Sequence, residues 1–368
     1  IEVIVYFILM CTTLFAGWIA VRSKKAAIKE YNLNNVGVYF IMIAITIIPC
    51  VLVSGLRGYH VGTDTSGTYY NIYLQVLSGK LSSVRDTGYA FINWFAIQFN
   101  SSYTSVLIVT SFLSIGLVII AIFRDSANPM MSLILFFTTN MFFLSMNAVR
   151  QSIATAIFIM AIPYIRDRKP KRYFLMIFLA AMVHIIAIIY IPIYFITKVK
   201  LNPKRVMVLG TIVVVFGNML GILANYLLTK VTLFSRYFSW YLNSEFNSKE
   251  TNWFSLMVEL GIVVLLLIVY KRAKTDEEYN ILLWLHFMAI VLLMLSSRIP
   301  QAQRLSWLFS FSTVVYLPKM FGYIKGKDNR KIIAFTVNAA FFIYMIITVF
   351  IRGYHEVVPY NSVILNGI

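Results

Sequence analysis

The sequence predicts an all-α polytopic membrane protein, and three observations carry that prediction. Of 368 residues, 60% are hydrophobic and 12% are charged, about half the charged share of a soluble domain. Mean hydropathy is +0.79. The apolar residues run unbroken over stretches such as Val206–Leu228 and Ile332–Ile351, long enough to cross a bilayer core of about 30 Å. A soluble globular fold is excluded. The net charge of +18 does not indicate a nucleic-acid partner. The basic residues sit in short loops between apolar runs, the pattern that orients membrane proteins.

Taken in order, spans are predicted at 3–21, 37–54, 102–123, 130–145, 150–165, 206–228, 253–270, 280–296, 305–320 and 332–351. The first reads as a retained helix, since no cleavage site follows it. The stretch 173–197 is different. Arg166, Arg168, Lys169, Lys171 and Arg172 precede it, and Lys198, Lys200, Lys204 and Arg205 follow it. Both flanks are assigned to the cytoplasmic side, which a broken pair of short helices with His184 near its apex satisfies. Counting that pair, about 12 membrane segments are expected, in a single membrane domain over 1–368.

This topology puts 22 of the 32 basic residues inside and the other ten outside. The outer segments are then 54–101, 229–252 and 352–368, which together are expected to cap a site. Within the first, Tyr69–Leu77 and Tyr89–Phe99 mix aromatic and polar residues at helical spacing and read as helices lying in the interface. Cys11 and Cys50 both fall in spans, so no disulfide is implied.

The residues that can carry chemistry lie mostly outside: Arg57, Asp64, Arg85, Asp86, Arg150, His184 and Arg304. Arg57 stands where the second span leaves the membrane, and Asp64 follows in a turn-rich stretch containing Gly62. A structural reading has Arg57 snorkelling to the interface and Asp64 capping a helix that begins near Ser66. A functional reading makes both ligands, and the sequence leaves the two open. Arg150 sits at a helix N-terminus, where the macrodipole disfavours a cation. An anion is expected beside it, either a protein carboxylate or a ligand phosphate.

Arg298 and Arg304 flank the outer ends of two late spans. The outer basic set holds seven arginines to three lysines, against eight to fourteen inside. Guanidinium forks grip diphosphate with two prongs, so this bias points to an anion site on the outer face; an arginine-rich surface without a ligand is the other reading. His184 lies in a hydrophobic run, where an ionisable group is costly and points to function. The alternative is a buried histidine bonded to a neighbouring helix. Glu259 invites the same argument more weakly, and His286 and His355 more weakly still. No metal is expected, because no histidine has a ligand at metal-binding spacing and no Asp-x-Asp pair occurs. No other cofactor is expected.

Four stretches recur in a known pattern: Arg57-Gly-Tyr-His-Val-Gly-Thr-Asp-Thr with Tyr69 beyond, Asp86-Thr-Gly-Tyr89, Asn147-Ala-Val-Arg-Gln-Ser-Ile-Ala154 and Ala180-Ala-Met-Val-His-Ile-Ile-Ala187. Weaker echoes are Ser235-Arg-Tyr, Arg304 and Val358-Pro-Tyr. In order and spacing the chain resembles the EpsG-like, Wzy-type polysaccharide polymerases. It departs from them at Ile185 and Ile186, which replace a polar-then-small pair after the histidine.

The resemblance implies a metal-independent glycosyltransferase of GT-C-like architecture in the bacterial cytoplasmic membrane, working on its outer face. Such an enzyme moves a growing glycan from its polyprenyl-diphosphate carrier onto a lipid-linked repeat unit. On that reading Arg57, Arg150 and Arg304 cradle the leaving diphosphate, and Asp64, with His184 as second choice, is the base. Arg85, Asp86, Tyr89, Asn147, Gln151, Arg236 and Arg298 bind substrate, with Trp94 stacking on sugar. The partners implied are polyprenyl-diphosphate-linked oligosaccharides and the lipid bilayer; whether a chain-length regulator protein binds is left open. The alternatives are a membrane O-acyltransferase of a glycan, with His184 as base, and a lipid-linked oligosaccharide transporter or flippase.

The orientation is directly testable. A cysteine placed at Lys80 is labelled by an impermeant maleimide added outside intact cells, and one placed at Lys169 only after permeabilisation. The reverse pattern inverts the topology.

Overall fold

Once water is excluded, each backbone N–H and C=O must be satisfied within its own segment, and the apolar runs fold as helices for that reason. The computed structural model describes residues 3–30, 33–230, 252–299 and 301–364. Seven of its helices are long and apolar enough to cross a membrane, or eight if a bent pair counts as one span. The chain is an all-α, multi-pass membrane protein. Among the described residues the only strand-like pairing noted is an isolated bridge between Arg57 and Ser362.

This tally is lower than the about 12 segments expected from hydropathy, and the reasons are local. The expected span at 130–145 is two helices, Pro129–Thr138 and Met141–Asn147, bent by 48° at Asn140, whose φ is 68°. The span at 305–320 divides into Ala302–Ser310 and Thr313–Met320. Within 173–197, helix Pro170–Val183 stops at His184, which is extended with φ −150° and ψ 109°. A 3-10 segment Ile185–Tyr190 and the single turn Ile193–Ile196 follow. The interruption predicted near His184 is therefore present.

Contacts divide the chain into two compact units, Ile1–Pro192 with Val314–Ile368, and Ile193–Thr313. The first unit opens with α1 (Ile4–Glu30) and α2 (Leu33–Gly55) packed along each other, with Thr13 Oγ1 3.2 Å from Cys50 Sγ. Two short helices follow, α3 (Tyr70–Leu77) and α4 (Thr87–Phe99), where the sequence indicated them. Next come α5 (Tyr103–Ser111) and α6 (Leu117–Asp125), joined by a π turn, then α7 (Pro129–Thr138), α8 (Met141–Asn147), α9 (Val149–Arg166) and α10 (Pro170–Val183). α10 packs on α9 and α4, and α4 packs on α3 and α5. Tyr190 locks the broken segment beneath α9: its ring stacks on Phe158 at 3.7 Å, and its carbonyl accepts from Tyr173 Oη at 2.6 Å.

The second unit contains α11 (Ile193–Ile196), α12 (Pro203–Lys230), α13 (Trp253–Ala273), α14 (Glu277–Met294) and α15 (Ala302–Ser310). α14 packs on α12, α13 and α15. At its centre Glu259 Oε2 lies 2.6 Å from His286 Nδ1, and His286 Nε2 lies 3.0 Å from Thr313 Oγ1. All three residues are buried. Breaking such a pair by deleting one partner costs about 3–5 kcal/mol, so this array ties the unit together. Most of the expected outer segment 229–252, with Ser235-Arg-Tyr and Arg236, lies outside the described residues.

Candidate functional site

The site is built in the first unit, where the end of α2 meets the C-terminal tail. The tail lies along residues 56–63 as a strap. Gly58 N donates to Asn361 O at 2.9 Å, Gly62 N to Glu356 O at 2.9 Å and Val363 N to Leu56 O at 3.0 Å. Two tyrosines pin it: Tyr6 Oη donates to Val357 O at 2.6 Å and Tyr360 Oη to Val53 O at 2.9 Å.

Arg57 lies under this strap and is 1% exposed, so the snorkelling reading does not hold. Its Nη1 donates to the carbonyl of Ser54 and reaches Ser54 Oγ at 3.4 Å. That hydroxyl is 2.7 Å from Ser111 Oγ. Nε and Nη2 have no hydrogen-bond partner among the described residues. The groups that bear on this charge are tyrosines. Burial lowers the guanidinium from its ordinary value, with Tyr103, Tyr89, Tyr6 and Tyr69 opposing. A buried cation with hydrogen-bonding capacity left over is costly in any protein.

Asp64 precedes a π turn, Thr65–Tyr69, but its carboxylate makes no capping bond to it. Its backbone N donates to Asn147 Oδ1 at 3.0 Å instead. Thr65 Oγ1 ties the turn to Val61 O at 3.0 Å and to Met146 O at 3.2 Å. Gly62 makes this approach possible. Its φ is +95°, and a Cβ there would lie 2.5 Å from Met146 O, a position only glycine fills without strain.

The second cation, Arg150, is the second residue of α9. The anion its helix terminus calls for is Asp86: Arg150 Nη1 lies 2.5 Å from Asp86 Oδ2. The guanidinium stands 5.6 Å from the Tyr69 ring centre and 6.0 Å from that of Tyr89. Its Nε is buried without a partner among the described residues. His184 Nδ1 lies 3.9 Å from the same Asp86 oxygen, beyond hydrogen-bond length. Gly88 sets this distance by letting α4 press on α10, since a Cβ there would meet the Met182 backbone at 2.8 Å. Asp86 is 4% exposed. Burial raises its carboxyl, but His184, Arg150 and Arg85 outweigh burial and hold it below the usual carboxylate range.

The first unit thus gathers Arg57, Asp64, Asp86, Tyr89, Asn147, Arg150 and His184, with the Tyr69 and Tyr89 rings near Arg150. Gln151 is buried next to Arg150, whereas Arg85 is exposed. Trp94 is exposed and stacks on Phe91 at 5.6 Å. Arg298 and Arg304 belong to the second unit, where Arg298 Nε donates to Asn218 Oδ1 at 2.6 Å. Sequence reasoning missed Ser54, Ser111, Tyr6, Tyr103 and Tyr360 around Arg57, and the contact of Asn147 with His355. The one signal for the strap was Val358-Pro-Tyr. Among the described residues no three His, Cys, Asp or Glu side chains cluster as a metal site.

Fold and site together define a multi-pass membrane protein with an internal cluster of guanidinium and tyrosine groups roofed by a loop and a terminal strap. The chain matches the EpsG family over residues 39–362 and belongs to it, a family of Wzy-type polysaccharide polymerases. The match spans every residue of the site from Arg57 to His355. No curated protein and no solved structure matches the chain.

The Asp86 carboxyl makes stability pH-dependent with a definite sign. Its folded value is depressed, so its contribution is full above the unfolded value of about 3.9 and is lost as pH falls through the folded value. The unfolding midpoint of Asp86→Asn in detergent, followed from about pH 6 to pH 3, starts lower than wild type and falls less steeply. A wild-type slope in the variant contradicts the pairing.

Proposed function

We propose that the chain is a glycosyltransferase that lengthens a polysaccharide on the outer face of the cytoplasmic membrane. It transfers the growing glycan from a polyprenyl-diphosphate carrier to the terminal sugar of a lipid-linked repeat unit. The observation that carries this reading, beside the family, is Arg57: a guanidinium 1% exposed, with two nitrogens unpartnered among the described residues.

When the bond from sugar to diphosphate breaks, negative charge grows on the departing oxygens. Fixed cations in a site shielded from water stabilise that charge most, because they need no reorganisation. Arg57 and Arg150 meet it as planar two-pronged donors. The chain's own guanidinium groups thus supply the charge, and the mechanism calls on no metal. Asp86 orients Arg150 through their 2.5 Å contact and limits its charge until substrate arrives. Asp64, whose carboxylate is not used as a helix cap, takes the proton of the acceptor hydroxyl. His184 is the poorer base, because it is buried against Asp86 and Arg150. Tyr69 and Tyr89 turn their rings to Arg150 and help hold it in place.

The test is polymerisation in proteoliposomes supplied with the native polyprenyl-diphosphate-linked repeat unit, with glycan length read on a gel. Wild type gives a ladder. Arg57→Met and Arg150→Ala each lose on the order of a hundredfold or more in rate. A folded wild-type protein that yields no ladder from the correct substrate overturns the polymerase reading.

A further inference from the structure

The connection between α11 and α12 ends in Lys198-Val-Lys-Leu-Asn-Pro-Lys-Arg205, four cations in eight positions, and the charge pattern assigns it to the cytoplasmic side. Its backbone is clamped to α14. Asn280 Nδ2 donates to Thr197 O at 2.8 Å, Trp284 Nε1 to Val199 O at 2.8 Å, and Leu201 N to Asn280 Oδ1 at 2.9 Å. Asn202 then caps α12 by accepting from Arg205 N at 2.8 Å. Asn280 is buried and spends its amide on the connection, which is thereby held in one shape before any ligand arrives.

Between this connection, the first turns of α12 and α14 lies a cleft of about 550 Å³, a size suited to a small organic ligand or the head of a larger one. Ile196, Val208, Leu209 and Trp284 give it apolar walls, and Lys204 and Arg205 supply its charge. Lys200 is committed to Glu277. Lys204 and Arg205 are exposed, and among the described residues no carboxylate pairs with either. Arg205 Nη1 donates to Lys200 O, which leaves the rest of its fork for an anion. A second feature runs away from the cleft along α12. Val208, Ile212, Val215, Met219 and Ile222 follow one another on one helix face, and all are exposed. At 1.5 Å per residue this line is about 21 Å long, the reach of one extended acyl chain.

We propose that this cleft binds one anionic glycerophospholipid of the cytoplasmic leaflet, its phosphate held by Lys204 and Arg205 and one acyl chain laid along α12. Charge complementarity selects the anionic head. Basic pockets between transmembrane helices on the cytoplasmic side hold such heads, and a guanidinium fork matches two phosphate oxygens. The apolar walls select against a soluble anion, because a free phosphate would leave Val208, Leu209 and Trp284 uncovered. Trp284 suits the same boundary. Its ring is half-buried beside the cleft while its N–H is bonded to the connection, the amphipathic role tryptophan plays at the edge of a bilayer. No bond is made or broken at this site, and the proposal stands apart from the polymerase reading.

The chain has six tryptophans, so the difference between wild type and Trp284→Phe isolates the Trp284 fluorescence. Purified protein in a neutral detergent is titrated with phosphatidylglycerol carrying brominated acyl chains, which quench a tryptophan only at close range. Quenching of Trp284 is expected to saturate at one lipid per chain and to persist in inorganic phosphate. Phosphatidylcholine with the same chains, and the variant Lys204→Gln/Arg205→Gln, each need about tenfold more lipid or higher for the same quenching. Lys325→Gln/Lys327→Gln, which removes two exposed charges assigned to the same side, stays within about twofold of wild type, because separated surface charges are screened. Lys204→Gln alone falls between, and carries the test if the double variant does not fold. Equal quenching by phosphatidylcholine, an equal loss in the Lys325→Gln/Lys327→Gln variant, or full displacement by inorganic phosphate overturns the proposal.

Discussion

A guanidinium removed from water with no carboxylate paired to it among the described residues is a liability of several kcal/mol in an ordinary fold, and the loop and strap of this protein are arranged around one. Arg57 follows the last turn of α2, where a cation would normally reach back to the interface. The terminal strap prevents that by pairing with residues 56–63 and closing over the side chain. Among the described residues, the acceptors offered to Arg57 are the Ser54 carbonyl and hydroxyl. A chain that spends stability in this way does so where function needs charge without water, the role proposed here toward a departing diphosphate.

Arg150 shows the contrasting arrangement. Its charge has a carboxylate, Asp86, and two tyrosine faces. One cation is left with capacity for ligand while the other is held in place by a protein group, with the Tyr69 and Tyr89 rings beside it. Rigidity comes from close backbone approach at Gly62 and Gly88, each of which presses a site residue's segment against a neighbouring helix. In the second unit the Glu259–His286–Thr313 array satisfies its polar groups internally. Being fully buried, it acts as a tie between helices and is closed to substrate.

What the sequence made legible follows from how local each signal is. Membrane class, α3 and α4, and the interruption at His184 rest on hydropathy and flanking charge over a few dozen residues, and all three are found. The candidate residues Arg57, Asp64, Asp86, Asn147, Arg150 and His184 were named one by one from residue type and surroundings. The family resemblance grouped them at one site, but their particular contacts were not visible, since Asp86 and Arg150 are 64 positions apart. The burial of Arg57 was hidden for the same reason, because its cover is a tail about 300 residues downstream. The bends at Asn140 and after Ser310 were missed because hydropathy averages over a left-handed residue or a two-residue break. His286 looked unremarkable until a second helix brought Glu259 beside it.

The central claim is that Arg57 is retained for an anion and not for the fold. Thermal unfolding of wild type and Arg57→Met, each with and without added polyprenyl diphosphate, tests this most directly. The account predicts that Met, close in length and without charge, leaves the ligand-free midpoint unchanged or raised and abolishes the stabilisation that diphosphate gives wild type. A lowered midpoint in Arg57→Met together with undiminished stabilisation by diphosphate would contradict it.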